Sequence, residues 1–482
     1  MSPALLFSFV VAYFVLLLCV AWYTGRNANN DSFFIGNRNS NWMLVAFGMI
    51  GTTLSGVTFV SVPGGVGKSA FAYFQITLGY VVGYFTIAYV LLPLYYRMQL
   101  TSIYNYLNHR LGIVSYKTGA SFFILSRVLG ATARLYLVVN ILQDTILSSF
   151  GVPFWATTLI ILLMILLYTY EGGVKTIVYT DTLQTTCMLL GLIICTFYIL
   201  NYLHLGFGES LHLMGQQGMT RVFNLDVDSK HFFVKEFVAG AFISLTMTGM
   251  DQEMMQKNIS VKTLGDSQKN IVTMTLTLVV VIALFLFLGG LLHLYAAQVN
   301  EPATGDKLFP AIALHHMPPV VSVIFIIALI SALFPSADGA LTALTSSFCI
   351  DLIGMQRRTD WNDVQKKKIR QRTHLIFAAL FLAFVMLFKW INNTSMVNVI
   401  LQIAAYTYGP LLGLFSFGIL SKREVNDKLV PIVCLVAPLI CLAIDLNQAA
   451  WFNGFQIGPE LLILNGALTY TGLFFISKRK TA

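Results

Sequence analysis

Charged residues are scarce in this sequence. Lys, Arg, Asp and Glu make up 11% of its 482 residues, against roughly a quarter in an ordinary soluble domain. With 57% hydrophobic residues and a mean hydropathy of +0.74, so small a polar complement cannot clothe a water-exposed surface, which excludes a soluble globular protein. Cysteine is sparse too. Cys19, Cys187, Cys195, Cys349, Cys434 and Cys441 lie in or against apolar runs with no CxxC pair among them, so a disulfide framework or a thiolate metal site has no basis. The histidines, His315–His316 included, show no metal-ligand spacing. The GGVGKS stretch (64–69) ends like a phosphate-binding loop but has Val62 where that loop needs glycine. The first residues carry no charged n-region or small-residue cleavage site, so residues 3–23 read as a first span rather than a leader.

Long apolar runs are abundant. Breaking the chain at charged or Pro/Gly/Asn-rich points gives about thirteen spans, at roughly 3–24, 41–62, 71–97, 117–148, 154–171, 176–203, 234–256, 270–299, 318–351, 372–391, 395–420, 428–447 and 457–477. Placing the N-terminus outside and the C-terminus in the cytoplasm puts most of the 30 Lys and Arg in cytoplasmic segments, with RRTDWNDVQKKKIRQR (357–372) deciding the orientation. The net charge of +9 is therefore a topology signal. Its dispersal over short loops argues against nucleic-acid binding.

Spans two and seven are unusual. Span two carries Gly48, Gly51, Thr52, Thr53, Ser55 and Gly56; span seven carries Gly240, Ser244, Thr246, Thr248 and Gly249 and ends in MDQE (250–253). Each would open a five-span block, the two blocks running in opposite directions. Residues 41–203 then form a first repeat and 234–420 an inverted second one, with one peripheral helix before (1–40) and two after (428–482). Such repeats place broken helices at a midplane site, where freed carbonyls bind a cation and helix N-termini face an anionic group. The alternative is that the small residues only let helices pack closely.

Ionisable residues inside apolar spans cost at least about 2.5 kcal/mol each and mark ion or proton pathways, or else polar clamps between helices. Asp181 lies in IVYTDTLQTTCMLLG (177–191) and shares a helix face with Gln184 and Thr185. Asp338 lies in LISALFPSADGALTALTSSF (329–348), one turn beyond Pro335. That proline removes the amide owed to the Ser331 carbonyl, leaving an acceptor suited to a small hard cation. Arg127 and Arg134 are seven residues apart and face the same way. Such arginines either hold a solute carboxylate bidentately or pair internally with Asp144 or Asp181.

These features resemble the sodium:solute symporter family, the relatives of sodium–glucose, proline and sialic acid symporters. The resemblance runs through nearly the whole chain and is carried by TTLSGVTFVSVPG (52–64), LTSIYNYLNHRLG (100–112), IVYTDTLQT (177–185), DQEMMQKNIS (251–260) and SSFCIDL (346–352). It implies an all-α integral membrane fold of about 13 transmembrane helices around a LeuT-type 5+5 inverted-repeat core, here spans two to eleven. It also implies a sodium site made by the carbonyls of Gly51, Leu54 and Ala332 and by two adjacent hydroxyls. Those two positions read Pro335 and Ser336, so one hydroxyl is missing and Asp338 becomes its proposed substitute. A second sodium would sit near Asp181, where the family's further hydroxyls are replaced by Asp338 and Gly339. Asp338 is thus either a replacement sodium ligand or a proton carrier paired with Asp181. For the solute, the resemblance implies Ser55, Thr58, Gln75, Arg134 and Gln402, the spacing around Gln75 requiring a small gap; Ser244 and Thr248 join them from span seven.

The expectation is a sodium-coupled symporter in the plasma (inner) membrane, importing a small organic solute by alternating access, with Na+ as coupling ion. The expected solute is carboxylated, such as a sialic or other sugar acid, and a monomer suffices. A proton-coupled or neutral-sugar symporter of the same fold remains an alternative, as does a transporter-like membrane sensor. The short tail SKRKTA (477–482) and the lack of a long loop speak against a sensor. No nucleophile pairing recurs at helical spacing to suggest an enzyme.

Overall fold

A computed structural model describes residues 3–25, 30–229, 231–391, 396–452 and 456–479, and the chain is helical almost throughout. The start of predicted span eleven (395) and the tail residues 480–482 lie outside the described residues. Nine described helices are long and apolar enough to cross a bilayer. They are α1 (Ala4–Thr24), α2 (Trp42–Ser69), α3 (Tyr73–Arg97), α4 (Ile113–Phe150), α6 (Gly173–Leu203), α9 (Leu264–Val299), α10 (Pro319–Leu352), α11 (Asp363–Ile391) and α14 (Asp427–Gln448). Two bent pairs bring the total to eleven: α7 (Phe233–Gly249) with α8 (Gln252–Ile259), bent by 64°, and α12 (Val397–Thr407) with α13 (Gly409–Leu420), bent by 45°. The shorter apolar helices α5 (Phe154–Tyr170) and α15 (Leu461–Phe475) occupy the places of predicted spans five and thirteen.

Local chemistry explains the breaks. Asn41 caps α2 by accepting from the Met43 amide at 2.9 Å, but fourteen residues on Ser55 adopts φ 44°, ψ 165° and ends the first half of the helix. The carbonyls of the turn before it thereby lose their usual amide partners. Pro63 removes another amide from the second half. In span seven the chain leaves helical geometry at Met250 and restarts at Asp251, whose carboxylate caps α8 by accepting from the amides of Glu253 (2.9 Å) and Met254 (3.2 Å). In span eleven the bend falls at Tyr408–Gly409, just before Pro410.

Burial separates centre from rim. In the most apolar stretch of α10, 83% of residues are buried, against 28% in α1 and α11 and 22% in α14. The exposed side chains of α1 and α14 are large and apolar, among them Leu16, Leu435 and Leu439, as a lipid-facing surface requires. Part of the small-residue pattern does serve close packing. A Cβ on Gly79 would strike the Phe237 carbonyl, and one on Gly240 the Ile76 carbonyl, so α3 and α7 meet backbone to backbone.

Candidate functional site

A cavity opens where the broken half of α2 faces α3, α4, α7, α9 and α12. Its walls include Ser55, Thr58, Arg134, Ser244 and Thr248, five of the seven solute residues expected from the sequence. Ser55 is the break itself and lies on the cavity wall. Among the described residues no carboxylate lies within ion-pair distance of Arg134. Ser244 is more constrained: its hydroxyl donates among the carbonyls of Gly240, Ala241 and Tyr80 at 3.1–3.2 Å, which leaves it only lone pairs to offer a ligand.

The two glutamines lie elsewhere. Gln75 is fully buried, and both ends of its amide are committed to main chain: Oε1 accepts from the Asn224 amide at 2.9 Å and Nε2 donates to the His231 carbonyl at 3.2 Å. It ties the start of α3 to the loop before α7 and does not reach the cavity. Gln402 lines the wide vestibule above, of about 1120 Å³, and donates to Asp445 at 3.2 Å. Its helix neighbour Leu401 reaches the cavity instead, with Val397 and Ile400.

The sequence reading missed three aromatic residues. Tyr73, Tyr80 and Tyr84 of α3 line the cavity, with the Tyr73 and Tyr80 hydroxyls 3.5 Å apart. Their i, i+7, i+11 spacing was a visible signal for one polar-tipped helix face.

The acids form a buried network. Lys257, from α8, places its ammonium 2.7 Å from Asp181 Oδ2 and 2.7 Å from Thr52 Oγ1. The sequence offers Asp181 a sodium ion, a proton shared with Asp338, or an arginine as partner; the structure sets Lys257 beside it. Lys257 also stands 3.8 Å from Glu253, and Glu253 is ion-paired with Arg127. Arg127 reaches Asp251 at 3.6 Å as well. The internal partners of Arg127 are therefore Glu253 and Asp251, not Asp144 or Asp181. Among the described residues Asp338 has no basic partner within ion-pair distance: it accepts from the Tyr168 hydroxyl at 2.7 Å and the Gly339 amide at 2.5 Å.

The network sets three carboxylates (Asp181, Asp251, Glu253) against two cations (Arg127, Lys257), and a fourth, Asp338, stands beside it, its neighbour Gly339 packed on Glu253; all are at most 4% exposed. Buried charge left uncompensated is strongly unfavourable, so the surplus calls for a further cation or proton. Oxygen ligands are at hand. Among the described residues Asp181 Oδ1 and Thr185 Oγ1 are buried without a hydrogen-bond partner, and Gly51 packs directly on Thr185.

Gly56, one residue past the α2 break, packs beside the Leu333 backbone of α10, so these two helices meet next to the break. Ser336 is buried and donates to the Leu333 carbonyl at 2.8 Å, keeping its lone pairs free for a cation. This donor set of carbonyl, hydroxyl and carboxylate oxygens fits a small hard ion.

The chain matches the family model described as "Sodium:solute symporter family" over residues 33–428. Among relatives, it is 23% identical to the sodium/sialic acid symporter NanT of Aliivibrio fischeri, with 95% of this chain and 91% of the relative aligned. It is 22% identical to the sodium/sialic acid symporter SiaT of Proteus mirabilis (97% and 94% aligned) and 26% identical to sodium-coupled monocarboxylate transporter 1 of Mus musculus (92% and 71%). Its fold is similar to that of a solved sodium-coupled sialic acid symporter in a substrate-bound outward-open state, with a TM-score of 0.84 at 19% identity over 98% of this chain and 99% of the other. The chain belongs to the sodium:solute symporter family, a multi-pass membrane transporter that uses sodium as its coupling ion.

Proposed function

We propose that this symporter carries a carboxylated solute of the sugar-acid class, with Arg134 as the carboxylate anchor. The supporting observation is the state of Arg134: it lines the cavity, and among the described residues no acid satisfies it. A guanidinium in a largely apolar cavity is a costly feature unless a ligand anion completes it, and its planar fork suits a carboxylate bidentately. The tyrosines of α3 and the hydroxyls of Ser55 and Thr58 offer the polar contacts a hydroxylated solute needs, while Val397, Ile400 and Leu401 offer an apolar wall. The names of the relatives, sialic acid and monocarboxylate symporters, point the same way.

Sodium is held between α2 and α10, with Gly51, Leu54, Ala332 and Ser336 supplying oxygens and Asp181 and Asp338 the charge. The ion favours the outward-open arrangement and raises solute affinity; solute must then raise sodium affinity by the same factor. Closure and rocking of the helices deliver both to the cytoplasmic side, with the N-terminus outside. The test is a thermal-shift panel of N-acetylneuraminate, glucuronate, lactate and galactose, each in sodium and in choline. Stabilisation by a carboxylated member only in sodium, absent in Arg134→Ala, supports the assignment; stabilisation by galactose alone contradicts it.

A further inference from the structure

Two acids of the buried network are poised around one lysine, and their geometry is that of a switch. Lys257 Nζ sits 2.7 Å from Asp181 Oδ2 and 3.8 Å from Glu253 Oε1. Glu253 Oε1 and Asp181 Oδ1 are both buried and, among the described residues, accept no hydrogen bond. The ammonium therefore has two carboxylates within about an ångström of equal reach, each with spare acceptor capacity. Glu253 spends its other oxygen on Arg127, and Arg127 lines the solute cavity. Arg127 and Arg134 line the same cavity, two turns apart on α4, so an anion held by one also feels the charge of the other.

We propose that Glu253 and Lys257 couple solute binding to sodium binding by exchanging ion-pair partners. Without solute, Glu253 is held by Arg127 and Lys257 rests on Asp181, occupying the place of a cation beside Thr52. A solute carboxylate arriving at Arg134 competes for Arg127, and Glu253 is released toward Lys257. The lysine swings to Glu253, and Asp181 is freed to join the oxygens around a sodium ion. Gly339 makes room for the Glu253 carboxylate, which a Cβ at that position would overlap and displace. The relay gives both ligands a bias on one two-state element, which coupling between separate sites requires. The solute half rests on the carboxylated-solute assignment; the Lys257–Asp181 half does not.

The experiment measures sodium affinity of the full-length protein in nanodiscs by sodium-dependent thermal stabilisation, with and without saturating N-acetylneuraminate. In wild type the solute should tighten sodium by about tenfold, within the usual range of coupling factors. Lys257→Met should raise sodium affinity in the absence of solute, because the tethered cation is gone, and solute should add less than about threefold more. Glu253→Gln should lower solute-free sodium affinity, because the lysine then has only Asp181 to rest on, and coupling should again fall. Opposite signs from two members of one network are not what loss of packing produces. Should Lys257→Met fail to fold, the neutral double variant E253Q/K257M replaces it, with the same expected rise. Unchanged or weaker solute-free sodium binding in the lysine variant, or wild-type coupling in Glu253→Gln, overturns the relay. If wild type ignores N-acetylneuraminate, the solute assignment and the solute half of the relay fail together, and the solute-free comparison still decides the Lys257–Asp181 half.

Discussion

Tyr408 donates a 2.5 Å hydrogen bond to Asp251, and through that single contact the break in span eleven is tied to the break in span seven. Asp251 also caps α8 and lies 3.6 Å from Arg127, so the tie reaches the wall of the solute cavity. Two further tyrosines secure the same turn: Tyr95 donates to the Gly249 carbonyl at 2.8 Å and Tyr104 to the Met250 carbonyl at 2.9 Å. The broken helix is thus held open by side chains, which satisfies carbonyls that a bilayer interior could not.

Tyr408→Phe removes the hydroxyl and leaves the buried Asp251 short of a donor. A hydrogen bond to a charged group is worth about 1.5–3 kcal/mol, so the variant should melt several degrees lower. A melting temperature equal to wild type would show that the tie carries no load.

Arg134→Lys keeps the charge but loses the planar fork. Bidentate recognition should fail, with solute affinity falling at least about tenfold while sodium binding in the absence of solute stays near wild type. Binding titrations in sodium and in choline check both halves. An equal fall in the two would place Arg134 in the structure of the bundle rather than at the solute.

Asp338→Asn retains shape but removes a charge, whereas Tyr168→Phe removes the hydrogen bond at 2.7 Å and leaves the charge. Uptake should lose much of its dependence on external sodium in the asparagine variant and keep it in the phenylalanine variant. Asp181→Asn should also weaken sodium dependence more than solute selectivity. Wild-type sodium responses in both asparagine variants would remove these two acids from the ion site.

Outside the membrane, Glu301 accepts from His316 at 2.9 Å and from the Ala303 amide at 3.0 Å. The His316 contact is the main cause holding its carboxyl below the usual value. The stabilisation is therefore present above the unfolded carboxylate range and lost as pH falls through the lower folded value. Glu301→Gln should flatten this small acid-side fall in melting temperature; an identical pH profile would show that the pair contributes nothing.

Much of the architecture was legible because lipid imposes simple rules. Apolar run length located the spans, and the small and hydroxyl residues of span two marked the break that the structure places at Ser55. A guanidinium in an apolar run needs an account, and the structure places Arg134 on the cavity wall. The Lys257–Asp181 pair was not legible. It joins residues 76 apart on two helices, and Lys257 reads in sequence as a basic residue after a span, at the edge of the bilayer. Only the 64° bend between α7 and α8 turns it inward. Gln75 misled in the opposite way, since a buried glutamine satisfied by loop backbone and one facing a ligand look alike in sequence.

The most direct measurement is accumulation of labelled N-acetylneuraminate by proteoliposomes under an inward sodium gradient. The account predicts uptake of the unmodified solute above equilibrium, collapse when the gradient is dissipated, and no accumulation by Arg134→Ala. Equal uptake with choline replacing sodium, or accumulation undiminished in Arg134→Ala, would contradict it.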